Sequence, residues 1–255
     1  MTQTSLRKSS SSLREPISVL VVDDESDNAA NLADILEDLN YRVDIAHNGN
    51  EALELLKKKC YSFALLDYQM PGMNGAELYE EIKKVQPCLV AFMITAYAGS
   101  DGVQRALDLG TWKVLRKPID LCELLGAMGT ACNQPLVLVV DDDVEFSANA
   151  WQVLRDSGFR VCTAASEAEA VQRIGQMSFD IVLLDLRLGS VEEGKNVFYA
   201  AQQSDHCPSI YLVTGQSREA GGIIEQLVRD NASGVFTKPV DLGQLLKEIK
   251  GEESK

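Results

Sequence analysis

Val19-Leu20-Val21-Val22-Asp23-Asp24 and Val137-Leu138-Val139-Val140-Asp141-Asp142 are the same six-residue motif, 118 positions apart in a chain of 255 residues. Four aliphatic residues that run straight into two carboxylates read as a buried strand ending at a polar site. The repeat continues at the same offset. Arg42-Val43 recurs as Arg160-Val161, Glu51-Ala52 as Glu169-Ala170, and Leu65-Leu66-Asp67 as Leu183-Leu184-Asp185. Thr95 then matches Thr214 at 119, and Lys117-Pro118 matches Lys238-Pro239 at 121, so one residue is gained before the threonine and two after it. A period this long marks a duplicated domain rather than a solenoid.

Working outward, each copy alternates strand and helix patterns. Val19–Val22, Tyr41–Ala46, Phe63–Leu66, Leu89–Ile94 and Val114–Leu115 read as strands. Leu32, Ile35, Leu36 and Leu39 recur at i, i+3, i+4, i+7, a helix stripe, and Ala150, Val153 and Leu154 occupy matching positions in the second copy. Glu51–Lys59, Ala76–Val85, Gly102–Leu109 and Leu121–Met128 read as further helices, the last with Leu121, Leu124, Leu125 and Met128 on one face. Alternation of this kind implies an α/β fold with a parallel sheet covered on both faces. The expected organisation is a polar, Ser-rich tail over residues 1–16, a first domain over 17–131, a linker over 132–135, a second domain over 136–250 and a charged tail over 251–255. Pro135 stops any helix from running into the next strand. No room for a third domain, and so for a kinase or output enzyme, is expected.

Composition narrows the function. The formal net charge of −14 excludes the basic face that nucleic-acid binding needs. Apolar runs such as Cys88–Ala98 fall well short of the roughly 20 residues of a membrane helix, and no signal peptide is visible. Of the six cysteines, no two are spaced C-x-x-C, so reduced thiols serving as small hydrophobes in a cytoplasmic protein are expected. His47 and His206 read as surface loop residues, and no Gly-rich ATP motif accompanies them.

The chemistry-bearing residues all stand where strands end: Asp23, Asp24, Asp67, Thr95 and Lys117, and in the second copy Asp141, Asp142, Asp185, Thr214 and Lys238. In an open parallel sheet, ligands bind beyond the carboxyl ends of the strands. Clustered carboxylates repel one another without a cation, and oxygen ligands at a partly open site favour Mg2+. Lysine adds a compact positive charge and threonine a hydroxyl donor. Positioning and charge neutralisation are what phosphoryl transfer needs, and a carboxylate can be its nucleophile.

This set, in this order and twice over, resembles the receiver domain of two-component response regulators across nearly the whole chain. Asp67-Tyr68-Gln69-Met70-Pro71-Gly72-Met73-Asn74-Gly75 resembles the family's D-x-x-M-P-x-x-x-G loop. The resemblance implies two flavodoxin-like (βα)5 domains, each a five-stranded parallel sheet of order 2-1-3-4-5. It implies that Asp67 and Asp185 accept a phosphoryl group from a phosphohistidine. Asp24 and Asp142 would bind Mg2+ directly, Asp23 and Asp141 through water, and the acceptors with the backbone carbonyls of Gln69 and Arg187 would complete the metal sites. Lys117 and Lys238 would hold the phosphoryl group, and Thr95 and Thr214 would move to hydrogen-bond it. The implied donor is a sensor histidine kinase or a histidine phosphotransfer protein. The output is an unidentified protein target, with no nucleic acid or membrane involved. Receivers often pair through the face of helix four, strand five and helix five, so a homodimer is a candidate assembly.

The second copy departs from the loop pattern, reading Asp185-Leu186-Arg187-Leu188-Gly189-Ser190-Val191-Glu192-Glu193-Gly194. Both copies carry valine, Val114 and Val235, where the family has Tyr or Phe, and Trp112 and Phe236 nearby read as packing residues. The extra residues of the second copy, with Gly221-Gly222, fall around its fourth helix. The leading reading is a tandem phosphoacceptor signalling through protein contacts. A second is a docking or dimerisation scaffold whose second domain is not phosphorylated. A third, a hydrolase with an aspartyl-phosphate intermediate, commonly needs Asp-x-Asp. Asp67-Tyr68-Gln69 and Asp185-Leu186-Arg187 lack it.

Overall fold

A computed structural model describes residues 16–96, 101–215 and 221–251. Nearly all of the N-terminal tail and the end of the C-terminal one lie outside the described residues. The chain divides into two compact units between Pro118 and Ile119. In the first, the strands are β1 (Ser18–Val22), β2 (Arg42–Ala46), β3 (Phe63–Asp67), β4 (Val90–Thr95) and β5 (Lys113–Arg116), and between them lie α1 (Ser26–Asp38), α2 (Gly49–Lys58), α3 (Gly75–Val85) and α4 (Asp101–Asp108). The sheet has order β2-β1-β3-β4-β5 and every pairing is parallel.

The helix α5 (Leu121–Asn133) follows β5 in the chain and falls after the division between units. It runs further than its apolar pattern suggested. Cys132 and Asn133, expected in the linker, are helical, and only Gln134 and Pro135 precede the next strand. The second unit then repeats the order with β6 (Leu136–Val140), α6 (Val144–Asp156), β7 (Arg160–Ala164), α7 (Glu167–Gln176), β8 (Ile181–Asp185), α8 (Val191–Gln202), β9 (Ser209–Thr214), α9 (Gly221–Arg229), β10 (Gly234–Thr237) and α10 (Leu242–Ile249). Its parallel sheet has order β7-β6-β8-β9-β10, so both units have the expected 2-1-3-4-5 arrangement. One of the extra residues lengthens α9, which has nine residues to the eight of α4.

Sequence and burial agree most closely in the central strands. Every residue of β3, β4, β6 and β8 is buried, as continuous apolar runs require in a sheet covered on both faces. Helix starts are set by side chains that accept orphan backbone N–H groups. Asn74 and Glu77 form a reciprocal capping box at α3, and Asp120, Asp143 and Asp241 cap α5, α6 and α10.

The stripe on α1 is rotated from its expected position. Ala29, Leu32, Ala33 and Leu36 are buried, whereas Ile35 is 36% and Leu39 48% exposed. The two alanines let the helix backbone lie close to its neighbours, which turns the larger Ile35 and Leu39 toward the rim. The cysteines also differ from expectation. Cys60, Cys122, Cys132 and Cys207 are exposed rather than packed as small hydrophobes, and Cys88 and Cys162 are not free thiols. His47 and His206 are exposed, and Phe236 packs on Tyr211 with ring centroids 6.1 Å apart, as expected of a packing residue. No helix among the described residues is long and apolar enough to cross a membrane.

The rotation of α1 is testable by urea unfolding. Leu36→Ala, at a fully buried position, should cost about 2–5 kcal/mol. Leu39→Ala should fall within about 0.5 kcal/mol of the unaltered protein, as exposed positions do. Equal losses would contradict the rotation.

Candidate functional site

Parallel pairing puts the carboxyl ends of β1, β3, β4 and β5 at one edge of the first sheet. The chain turns there without interruption. Asp23 follows β1, with its backbone N–H on Ala46 O at 3.2 Å, and Asp67 is the last residue of β3. Tyr68 N–H donates to Ile94 O at 2.7 Å and Lys117 N–H to Thr95 O at 2.9 Å, which aligns the ends of β3, β4 and β5. The second unit repeats these bonds, with Leu186 N–H on Val213 O at 2.9 Å and Lys238 N–H on Thr214 O at 2.8 Å.

One ammonium joins the set. Lys117 Nζ lies 2.9 Å from Asp23 Oδ2 and 2.7 Å from Asp67 Oδ2. Lys238 Nζ lies 2.7 Å from Asp185 Oδ2 and 2.7 Å from Asp141 Oδ2. The other oxygen of each central carboxylate is held by backbone. Gln69 N–H reaches Asp67 Oδ1 at 3.1 Å, and Arg187 N–H reaches Asp185 Oδ1 at 2.8 Å. Asp23 and Asp141 accept the N–H of Glu25 and Asp143 at 2.9 and 3.0 Å. The structure thus gathers the predicted Asp23, Asp67, Gln69 and Lys117 of one unit and Asp141, Asp185, Arg187 and Lys238 of the other. Thr95 and Thr214 are buried at the neighbouring strand ends, and Thr214 Oγ1 donates to Gly215 O at 3.1 Å. Asp24 and Asp142 are exposed at the rim.

The electrostatics follow from burial. Burial lifts Asp67 above the ordinary carboxylate range, and the nearby charge of Asp23 adds to this, against the pull of Lys117 and the Gln69 N–H. In the second unit burial lifts Asp141, with Asp185 adding, against Lys238 and the Asp143 N–H. Burial also works against the charge of Lys117 and of Lys238. Their bonds to two carboxylates outweigh it, so both amines stand above the usual lysine range.

Three carboxylates face one ammonium in each unit, so each site keeps an excess of negative charge. Carboxylate oxygens of Asp23, Asp24 and Asp67 lie within 4.8 Å of one another, and so do those of Asp141, Asp142 and Asp185. Asp141 Oδ2 is buried and touches Lys238 off the hydrogen-bonding direction, so it has no directed donor. All-oxygen donors with uncompensated charge fit a hard divalent cation and do not fit zinc.

Two features escaped the sequence reading. The first is close packing behind the acceptor loops. A Cβ on Gly75 would stand 2.3 Å from Asp67 O, and one on Gly194 would stand 2.5 Å from Leu186 O. Gly75 is the first residue of α3 and Gly194 the fourth of α8, so the two close approaches come from different positions in the helix. The second is Phe146, whose ring centroid lies 5.0 Å from Lys238 Nζ. Comparison of the repeats could have drawn notice to it, because its counterpart is the polar Asn28.

Comparisons with known proteins agree with this geometry. A family model described as the response regulator receiver domain matches residues 19–128 and again 137–250. A response regulator receiver protein of Anaeromyxobacter sp. (strain Fw109-5) is 37% identical over 231 residues, 91% of this chain and 93% of its own length. The transcriptional regulatory protein ZraR of Klebsiella oxytoca is 36% identical over 110 residues, 43% of this chain but only 25% of its own length. Among solved structures, a CheY-like receiver domain protein from Methanospirillum hungatei JF-1 is 30% identical, covers 45% of this chain and 91% of that one, and has a TM-score of 0.43.

Two predictions follow from the packing and charge of the site. Gly75→Ala and Gly194→Ala should each destabilise by about 1–3 kcal/mol in urea unfolding through forced backbone shifts, whereas Gly126→Ala, with open space around it in exposed helix, should stabilise by about 0.5–1 kcal/mol. Raising the pKa of Asp67 makes the folded state hold a proton that the unfolded state gives up. Stability is therefore lost as pH rises above the ordinary aspartate range and through the raised value. Asp67→Asn should unfold at higher urea than the unaltered chain at pH 7 in chelator-treated buffer. That advantage should shrink on acidification. A gain independent of pH would refute the assignment.

Proposed function

Since the chain belongs in both halves to the family of response regulator receiver domains, we propose that it is a two-component phosphoacceptor with two working sites, Asp67 and Asp185. The observation that carries the reading is the shared lysine. In each unit one ammonium bridges a carboxylate at the end of a central strand to a second one behind it, and the pattern is the same in both copies.

In this reading an oxygen of Asp67 forms a bond to the phosphorus of a phosphohistidine. The phosphorus–nitrogen bond breaks, and the imidazole nitrogen leaves with the electron pair. Lys117 holds the arriving phosphoryl group and offsets its charge, and the Thr95 hydroxyl donates to it. Lys238 and Thr214 do the same at Asp185. Asp23, Asp24, Asp67 and the Gln69 carbonyl would hold a Mg2+ ion, as would Asp141, Asp142, Asp185 and the Arg187 carbonyl. Such an ion, when bound, neutralises charge on the phosphoryl oxygens. Burial of Asp67 and Asp185 limits water at the nucleophile.

The domains are read as 17–131 and 136–250, the first extended to Asn133 by the length of α5, and the family matches at 19–128 and 137–250 fall inside these bounds. A sensor histidine kinase or histidine phosphotransfer protein would supply the phosphoryl group in the cytoplasm. Output would pass through protein contacts, with a homodimer as one candidate assembly. Neither site has the second aspartate that an aspartyl-phosphate hydrolase commonly uses, so the chain is read as a phosphoacceptor rather than as an enzyme acting on a separate substrate.

The test is intact-mass analysis after incubation with Mg2+ and acetyl phosphate. Two phosphoryl groups are expected, one lost in Asp67→Asn and the other in Asp185→Asn, and both absent when the metal is chelated. No labelling of the unaltered chain would overturn the reading in favour of a docking scaffold. Labelling at Asp67 alone would restrict it to the first unit.

A further inference from the structure

Positions 28 and 146 correspond across the repeat and differ in kind. Asn28 is exposed, and its side chain donates to Glu25 Oε2 at 2.9 Å. Phe146 is half-buried against the core of its unit, and Lys238 Nζ sits 5.0 Å from its ring centroid. An ammonium at that distance from an aromatic face is attracted by the negative face of the ring. Among the described residues no ring is found at Lys117, whose contacts are the two carboxylates. Lys238 is therefore held on three sides, by Asp141, Asp185 and Phe146. The ring itself is well fixed. Phe146 is the third residue of α6, and its N–H is bound by Asp143 Oδ1 at 3.1 Å.

We propose that Phe146 is a positioning residue for phosphorylation of Asp185, its ring holding the Lys238 ammonium beside the acceptor oxygen. The inference rests on Asp185 being an acceptor. As the Asp185 oxygen bonds phosphorus and the donor's leaving group departs with its electron pair, negative charge moves outward onto the phosphoryl oxygens. The ammonium must follow by a short distance. A lysine stem has many rotamers, and a ring under its head narrows them before the reaction starts. Leu at 146 would keep the apolar bulk and the core contact but remove the charged-face attraction.

The experiment uses the full chain with Mg2+ and acetyl phosphate, and follows labelling of Asp67 and Asp185 separately by peptide mass. Phe146→Leu should slow labelling of Asp185 by about threefold, the scale of a partly exposed cation–π contact. Asp67 in the same molecules should label at its usual rate, and Phe146→Tyr should restore Asp185. The Cε protons of Lys238 should show an upfield ring-current shift in the unaltered chain and in Phe146→Tyr, but not in Phe146→Leu. Unchanged labelling in Phe146→Leu would overturn the inference. So would a parallel loss at Asp67, or a Tyr variant as slow as the Leu variant. If Asp185 takes no label in the unaltered chain while Asp67 does and the ring-current shift is present, the acceptor reading of Asp185 falls, and the inference with it.

Discussion

In each unit one lysine ammonium has to satisfy two carboxylates that the fold has taken out of water. Asp23 and Asp67 are almost wholly buried, and burying a carboxylate is costly unless a cation stands at hydrogen-bonding distance. Lys117 supplies it from further along the chain, 94 positions after Asp23 and 50 after Asp67. Such a contact needs β1, β3 and β5 to point the same way and end at one edge of the sheet, with β4 between the last two. Parallel order, strand register and the short loop after β5 all serve that requirement. An antiparallel sheet would scatter the same residues to opposite edges.

The two units meet this constraint with different surroundings. Burial lifts Asp67 in the first and Asp141 in the second, residues that stand at different strand ends. Among the described residues Lys238 has an aromatic neighbour and Lys117 has none. Duplication preserved the contact that the strands enforce and left the rim of the site free to vary.

What was legible in the sequence divides along the same line. Continuous apolar runs ending in Asp or Thr named the central strands and their counterparts in the repeat, because a strand buried on both faces permits little else. Helix faces were harder. On α1 the apolar letters Ile35 and Leu39 outweighed Ala29 and Ala33 in the pattern, yet the small side chains allow the closer approach and take the inner face. The length of α5 was underestimated because Cys132 and Asn133 carry no strong helix signal, whereas backbone continuity carries the helix up to the stop imposed by Pro135. Phe146 was invisible for another reason. A phenylalanine in a helix is ordinarily core, and only the three-dimensional position of Lys238 gives its ring a charge to face.

The loop behind the acceptor shows how far such variation can go. Gly75, first in α3, packs on the carbonyl of Asp67 itself, while Gly194, fourth in α8, packs one carbonyl further on, at Leu186, and the loop from strand to helix is shorter there, 186–190 against 68–74. The glycine has slid along the backbone, yet the acceptor has kept its place. The strand end therefore acts as a fixed datum and the glycine as a movable clamp. The helix after the acceptor can then begin earlier or later, and the loop between them change its length, while the acceptor stays where the sheet puts it.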